Sequence, residues 1–355
     1  MIRRLLWCLN HRTLMPDETA TVRGLGWTVF TPRVLPHGLD ARSTSLEDAP
    51  DDAALQLPSS VLELLRNYPF YDRQWSPTLK SIVNKHFDVM VTSFYHAPYA
   101  SSVRHFKGTL IARAFGREGD NTYNGLLSAW EDDGLVAATL NMGHRFVFGQ
   151  AYAWLAEVEP PLFAKRAVTL PVPLPGWIKP AENAWTGIAP HALFFCPIIT
   201  GSAYYKLIYD RIKTNFGGLP HIIFGKQAGH VEDPCVLPGL DDNSLRDLYV
   251  RSRVFVYPAD EPRHLHYAPL EAMLVGVPVL YLRGALLDRV AGLELPGACK
   301  DLSEMCTKAR SMLGGEVCLA NSIRAAQKHV LRRFSNEAVR CAWRHILERA
   351  PLRTS

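Results

Sequence analysis

The chain has 355 residues, more than one ordinary hydrophobic core supports, so two domains are expected. Apolar residues make up 48% and charged residues 21%, the composition of an ordinary globular protein rather than of a disordered or fibrous one. The formal charge of +5 comes with no dense Lys/Arg tract and no aromatic RNA-binding signature, so nucleic acid is not an expected partner.

The first run, "RLLWCLN", reads as a buried strand; Asn10, His11 and Arg12 break it too early for a secretory apolar region. "PDETATVRGLG" has helix-start chemistry at Pro16 and the acids after it, and a glycine stop. "WTVFTP" is a second strand. Residues 37–58 are acidic, proline-containing and weakly patterned, and read as an irregular insertion. "SSVLELLRNY" and "SPTLKSIVNKH" are helices with capping serines. "FDVMVTSF" and "GTLIARAFG" are the continuous apolar strands of a parallel sheet covered on both faces. The stiff, proline-rich stretch 170–190 is the best domain boundary. Strand–helix alternation then restarts, through "HALFFCPII", "GSAYYKLIYDRIKTNF", "PHIIFG", "DDNSLRDLYVRS", "RVFVYP", "APLEAMLVG" and "VPVLYL". The chain ends in basic helical sequence with a break near Phe334–Asn336. The pattern predicts an α/β protein with two doubly wound, Rossmann-like layers. The expected boundaries are 1–175, 176–320 and a C-terminal helical segment 321–355. Seven cysteines, an odd number without a CxxC pair, point to reduced thiols and a cytoplasmic setting. No run reaches the length of a membrane span.

Residues 244–282, "SLRDLYVRSRVFVYPADEPRHLHYAPLEAMLVGVPVLYL", carry a sharper signal. Leu245, Leu248, Tyr249, Val254, Val256, Pro258, Leu270, Glu271, Ala272, Met273, Gly276, Pro278 and Val279 fall in the pattern of a helix, a strand and then a glutamate opening "LEAM..G.PV". This stretch resembles the donor-domain signature of the large retaining glycosyltransferase family with the E-x7-E motif. The resemblance implies the GT-B architecture: two Rossmann-like domains facing each other across a cleft, with a C-terminal helix crossing back. It implies transfer of a sugar from a nucleotide-sugar donor, a co-substrate rather than a cofactor, with no metal. It also implies a glycan or lipid-linked acceptor, as in bacterial surface polysaccharide assembly. The basic terminal helices suit peripheral contact with the inner face of an anionic membrane.

The resemblance makes Glu271 the acceptor for the nucleotide ribose, a carboxylate at a helix start favoured by the dipole. The motif's first glutamate is missing; Arg263 stands in its place, with Glu261 two residues earlier. "RHLHY" instead offers Arg263, His264, His266 and Tyr267, donors suited to an anionic group. The family's diphosphate-clamping arginine is also absent from "CPIITGSAYYK". Backbone amides at Gly201 and Ser202, together with Lys226, are expected to hold phosphate in its place. On the acceptor side, Asn10, His11 and Arg12 follow the first strand, His96 follows "FDVMV", and Arg113 and His144 come from later strand ends. His96, Lys226 and Glu271 stand nearest the chemistry. The departures keep two alternatives open: a transferase for a CMP-linked acidic sugar, and a GT-B-shaped binding or assembly protein without turnover.

Overall fold

The computed structural model describes residues 2–35, 52–130 and 134–350. Most of the 37–58 insertion lies outside the described residues; Asp52–Leu55 at its end form a 3-10 turn. The chain divides into two compact units, Met1–Pro173 with Asn336–Ser355, and Leu174–Ser335.

The first unit holds a six-stranded parallel sheet. Its strands are β1 (Arg4–Cys8), β2 (Thr28–Phe30), β3 (Val89–Thr92), β4 (Thr109–Ala114), β5 (Phe146–Gln150) and β6 (Ala167–Thr169), in the order β2-β1-β3-β4-β5-β6. β3 and β4 are buried along their whole length, as parallel strands covered on both faces must be. From β1 the chain runs outward through α1 (Leu14–Arg23) to β2. It returns through α2 (Ser59–Asn67) and α3 (Pro77–His86) to β3 on the other side of β1. The carboxyl ends of β1 and β3 therefore flank a topological switch point, where open α/β sheets bind ligands. Ser76 caps α3 by accepting the Leu79 amide at 3.2 Å, with Pro77 at the first helical position. α4 (His96–His105) opens directly after the β3 loop, and α5 (Tyr123–Ala129), α6 (Leu135–Asn141) and α7 (Pro161–Ala164) follow.

Arg113 corrects one expectation. It lies within β4 with no exposed surface, not in a loop. Its guanidinium pairs with Glu18 of α1 at 2.5 Å and donates to the carbonyls of Gly149 and Leu170 at 3.0 and 2.7 Å. Burial pushes the Glu18 carboxyl upward against the pull of Arg113. The last helix of the chain, Asn336–Arg349, buries Trp343 over this pair, 5.8 Å from the Trp7 ring and 6.0 Å from the Arg113 guanidinium.

The second unit holds β7 (Ala189–Phe195), β8 (His221–Phe224), β9 (Ser252–Tyr257), β10 (Val279–Leu282) and β11 (Ala298–Cys299), parallel in the order β11-β10-β9-β7-β8. β7 starts inside the proline-rich stretch. Pro190 cannot donate to the ladder, and the pairing with β9 shifts register between Ala189 and Ala192. The helices are α8 (Ala203–Phe216), α9 (Asp242–Arg251), α10 (Tyr267–Val275), α11 (Leu286–Ala291), α12 (Leu302–Leu313) and α13 (Val317–Arg332). The expected terminal segment divides at its break: α13 counts with the second unit, and the last helix, α14 (Asn336–Arg349), with the first. α10 is buried from Ala268 to Val275 and ends at Gly276, whose φ of +94° suits glycine. Here the switch point falls between the carboxyl ends of β7 and β9.

Candidate functional site

In the second unit the loop after β7 is braced by the loop after β8. The Ile198 amide donates to the Lys226 carbonyl at 3.0 Å. Gln227 donates to the carbonyls of Cys196 and Gly225, both at 2.9 Å, and accepts the Ile199 amide at 3.0 Å. Ile198 has a φ of +50°, an unfavourable conformation for a β-branched residue that the bracing holds. Gly225, at φ +132°, sits so close to Pro197 that a Cβ would come within 2.9 Å of its backbone. Gln227 carried no motif, and sequence reasoning missed it.

Gly201 does not present its amide to a ligand, because that N–H donates to the Ile198 carbonyl at 3.0 Å and closes a turn. Ser202 caps α8 by accepting the Tyr205 amide at 3.4 Å. Lys206 lies inside α8 and pairs with Asp210. The Lys226 side chain is exposed. A cavity of 780 Å³ opens beside this loop, lined among others by Gly201, Ser202, Lys206, Tyr209 and His230.

The loop after β9 leads into α10. Arg211 of α8 anchors it, donating to the Pro258 carbonyl at 2.8 Å and pairing with Asp260 at 3.0 Å. The Glu261 carbonyl accepts the Leu286 amide at 2.8 Å. Arg263, His264, His266 and Tyr267 are half-buried. His266, expected as a donor to an anionic group, turns inward, and Tyr205 and Tyr257 each place a hydroxyl 2.8 Å from one of its ring nitrogens. Burial and the neighbouring His264 hold it well below the usual imidazole value, so its ring is neutral.

Glu271 lies a full turn inside α10, not at its start, because the helix begins at Tyr267. Its carboxyl is buried. Oε2 accepts from the Tyr249 hydroxyl at 2.9 Å and Oε1 from the Trp177 indole at 3.3 Å. Burial raises its pKa to about 7 in spite of these two donors. Desolvation outweighs the two hydrogen bonds. Tyr249 and Trp177, from α9 and the 3-10 turn Gly176–Ala181, set the orientation of this carboxyl.

In the first unit, four candidates meet at the switch point. Asn10 is buried and its carbonyl accepts the Tyr95 hydroxyl at 3.3 Å. His11 Nδ1 accepts the Leu14 amide at 3.2 Å, an amide that also donates to the His11 carbonyl at 3.1 Å. Arg12 is exposed. His96 is exposed at the start of α4, edge-on to Trp130 at 5.3 Å. His144 is not part of this group: it precedes β5, at the amino edge of the sheet, while the others follow β1 and β3 at the carboxyl edge. Among the described residues, no group of three or more His, Cys, Asp or Glu side chains is arranged to hold a metal ion. No described helix is long and apolar enough to cross a membrane.

No protein-family model matches the chain, and no curated protein matches it. Solved structures do. The UDP-forming α,α-trehalose-phosphate synthase from Burkholderia xenovorans has a TM-score of 0.62 at 9% identity, covering 99% of this chain and 100% of that one. Anabaena HepE in complex with UDP has a TM-score of 0.61 at 11% identity, covering 98% and 100%. A glycosyltransferase from Rickettsia africae has a TM-score of 0.59 at 12% identity, covering 98% and 97%. The fold is GT-B. At these identities the likeness extends to the GT-B fold alone.

Proposed function

We propose that this GT-B chain is a glycosyltransferase that moves a sugar from a nucleotide-sugar donor to a glycan or lipid-linked saccharide acceptor, with retention at the anomeric carbon. The observation that carries the reading is Glu271, an oriented carboxyl on α10 beside the switch point of the second sheet, in a motif that resembles the family's ribose-binding signature. Similar folds with UDP bound, HepE among them, support a nucleotide-sugar donor. In this reading the second unit binds the donor. Glu271 accepts the ribose hydroxyls, and the loops after β7, β8 and β9 surround the phosphates. Binding the ribose exchanges the Trp177 indole for a sugar hydroxyl at Glu271. Asn10, His11, Arg12 and His96 serve the acceptor in the first unit.

Chemically, the protein's part is to hold the two substrates in reacting geometry and to stabilise negative charge on the departing phosphate. The exposed amine of Lys226 and the half-buried Arg263 are the cations assigned to that charge. Lys226 lies on the well-braced β8 loop, so its backbone is already ordered before binding.

The test is a thermal-shift screen over UDP-, GDP-, dTDP- and CMP-sugars, followed by an assay of transfer or donor hydrolysis. Stabilisation by one nucleoside-diphosphate sugar, and turnover that collapses in a folded Glu271→Ala variant, is the expected result. Stabilisation by CMP-sugars alone would instead identify an acidic-sugar transferase. Binding without turnover across the panel would identify a non-catalytic protein.

A further inference from the structure

Two imidazoles meet nitrogen to nitrogen at the carboxyl edge of the second sheet. His264 Nε2 lies 3.2 Å from His266 Nε2, with the rings almost perpendicular and their centroids 4.5 Å apart. The hydroxyl of Tyr257 sits 2.8 Å from His266 Nδ1 and also accepts the His266 backbone amide at 3.4 Å. His266 Nε2 faces both the Tyr205 oxygen, at 2.8 Å, and His264. The His266 ring packs 5.0 Å from Phe195, the last residue of β7, so the pair stands at the sheet's switch point.

Groups from several elements face the pair. Tyr205 faces it from α8, Tyr257 from β9 and Phe195 from β7. On its own loop stand Glu261 and Arg263, while Asp260 is engaged by Arg211 at 3.0 Å. Two imidazoles with facing nitrogens can hold one extra proton as an imidazolium–imidazole pair, whose charge-assisted N–H···N bond is stronger than the neutral one. Such a cation in a partly buried setting needs an anion to favour it.

We propose that the His264–His266 pair is a proton-coupled anion site. It takes up one proton from solvent as the phosphate of the nucleotide-sugar donor docks, and so supplies positive charge that the arginine-free loop after β7 lacks. This inference rests on the donor-site reading above. It departs from a fixed arginine clamp in one measurable way: donor affinity depends on pH. Binding linked to uptake of one proton strengthens as pH falls, by up to about tenfold per pH unit.

The experiment is calorimetry of UDP-glucose binding, or of whichever nucleotide sugar stabilises the protein most in the screen. It is run at pH 7 in two phosphate-free buffers of different ionisation enthalpy. A nucleotide sugar is the right probe because its diphosphate, esterified at both ends, does not titrate near neutral pH. The wild-type protein is expected to take up between about half a proton and one proton per ligand bound. His264→Gln and His266→Gln are expected to bind more weakly with uptake near zero. His264→Arg, whose charge is permanent, is expected to bind without uptake and without pH dependence. Binding with no proton uptake, or uptake unchanged in both glutamine variants, overturns the inference and leaves the donor site standing. Absence of binding by every nucleotide sugar overturns the donor-site reading and the inference with it.

Discussion

The two sheets end in switch points of different character. In the first unit, Asn10, His11, Arg12 and His96 share an edge, and the first two are partly committed to holding the local backbone. In the second, the groups interlock: Gln227 ties the loops after β7 and β8, two tyrosines grip His266, and Tyr249 and Trp177 hold Glu271. An interlocked edge suits a ligand that must be held in a single geometry.

The sharpest way to break this comparison is to disturb the buried Arg113–Glu18 pair of the first unit and ask whether the second notices. Arg113→Ala leaves Glu18 buried without its cation, and is expected to cost about 3–5 kcal/mol in denaturant unfolding. Replacing both, Arg113→Met with Glu18→Leu, should recover part of that loss, since no charge is then left buried while the Gly149 and Leu170 carbonyls lose their donor. Under conditions where the single variant is still folded, its nucleotide affinity should match the wild type.

Glu271→Gln reverses the question. It preserves shape while removing charge, and is expected to weaken donor binding about 10- to 100-fold, the loss of one or two charge-assisted hydrogen bonds. The same variant reports on pH. Because the folded-state pKa of Glu271 is raised to about 7, the native protein binds more protons than the unfolded chain between about pH 4.5 and 7. Its contribution to stability is therefore greatest below the unfolded value and is lost as pH rises through 7. In Glu271→Gln the unfolding free energy should fall less steeply across that window; an unchanged slope would show that the carboxyl is ionised throughout.

Smaller effects belong to the first unit. His11→Ala removes one of two acceptors of the Leu14 amide and should cost less than about 1 kcal/mol in unfolding experiments. His144→Ala, at the far edge of the sheet, should leave turnover unchanged and stability within about 0.5 kcal/mol.

Much of the fold could be read from hydrophobic runs and their punctuation. β1, β3, β4 and the alternation from β7 to β10 announce themselves as apolar strands between capped helices. β6 and β11 did not, being the short strands "AVT" and "AC" with no periodicity of their own, and β5, "FVFGQ", was passed over with its polar end. α4 was hidden because His96, Pro98 and the serines look like loop chemistry, yet its buried face, Ala97 to Val103, packs as helix. At the site, Glu271 was visible through its motif, and Tyr249 fell in the same pattern. The depth of the carboxyl within α10 was not visible, since burial of one residue in "RHLHYAPLEAM" depends on what packs over it. Arg113 and His144 misled for geometric reasons. A strand residue next to a loop points into the core as readily as into solvent, and sequence alone does not say which end of a strand a histidine occupies.

The most direct test of the donor assignment is hydrogen–deuterium exchange of the whole chain with and without the nucleotide sugar selected by the screen. Protection is predicted in the loop after β7, in residues 225–227, and from Pro258 to Glu271, with the loop after β1 unchanged until acceptor is added. Protection confined to the first unit, with the second unit's loops exchanging as before, would contradict the account.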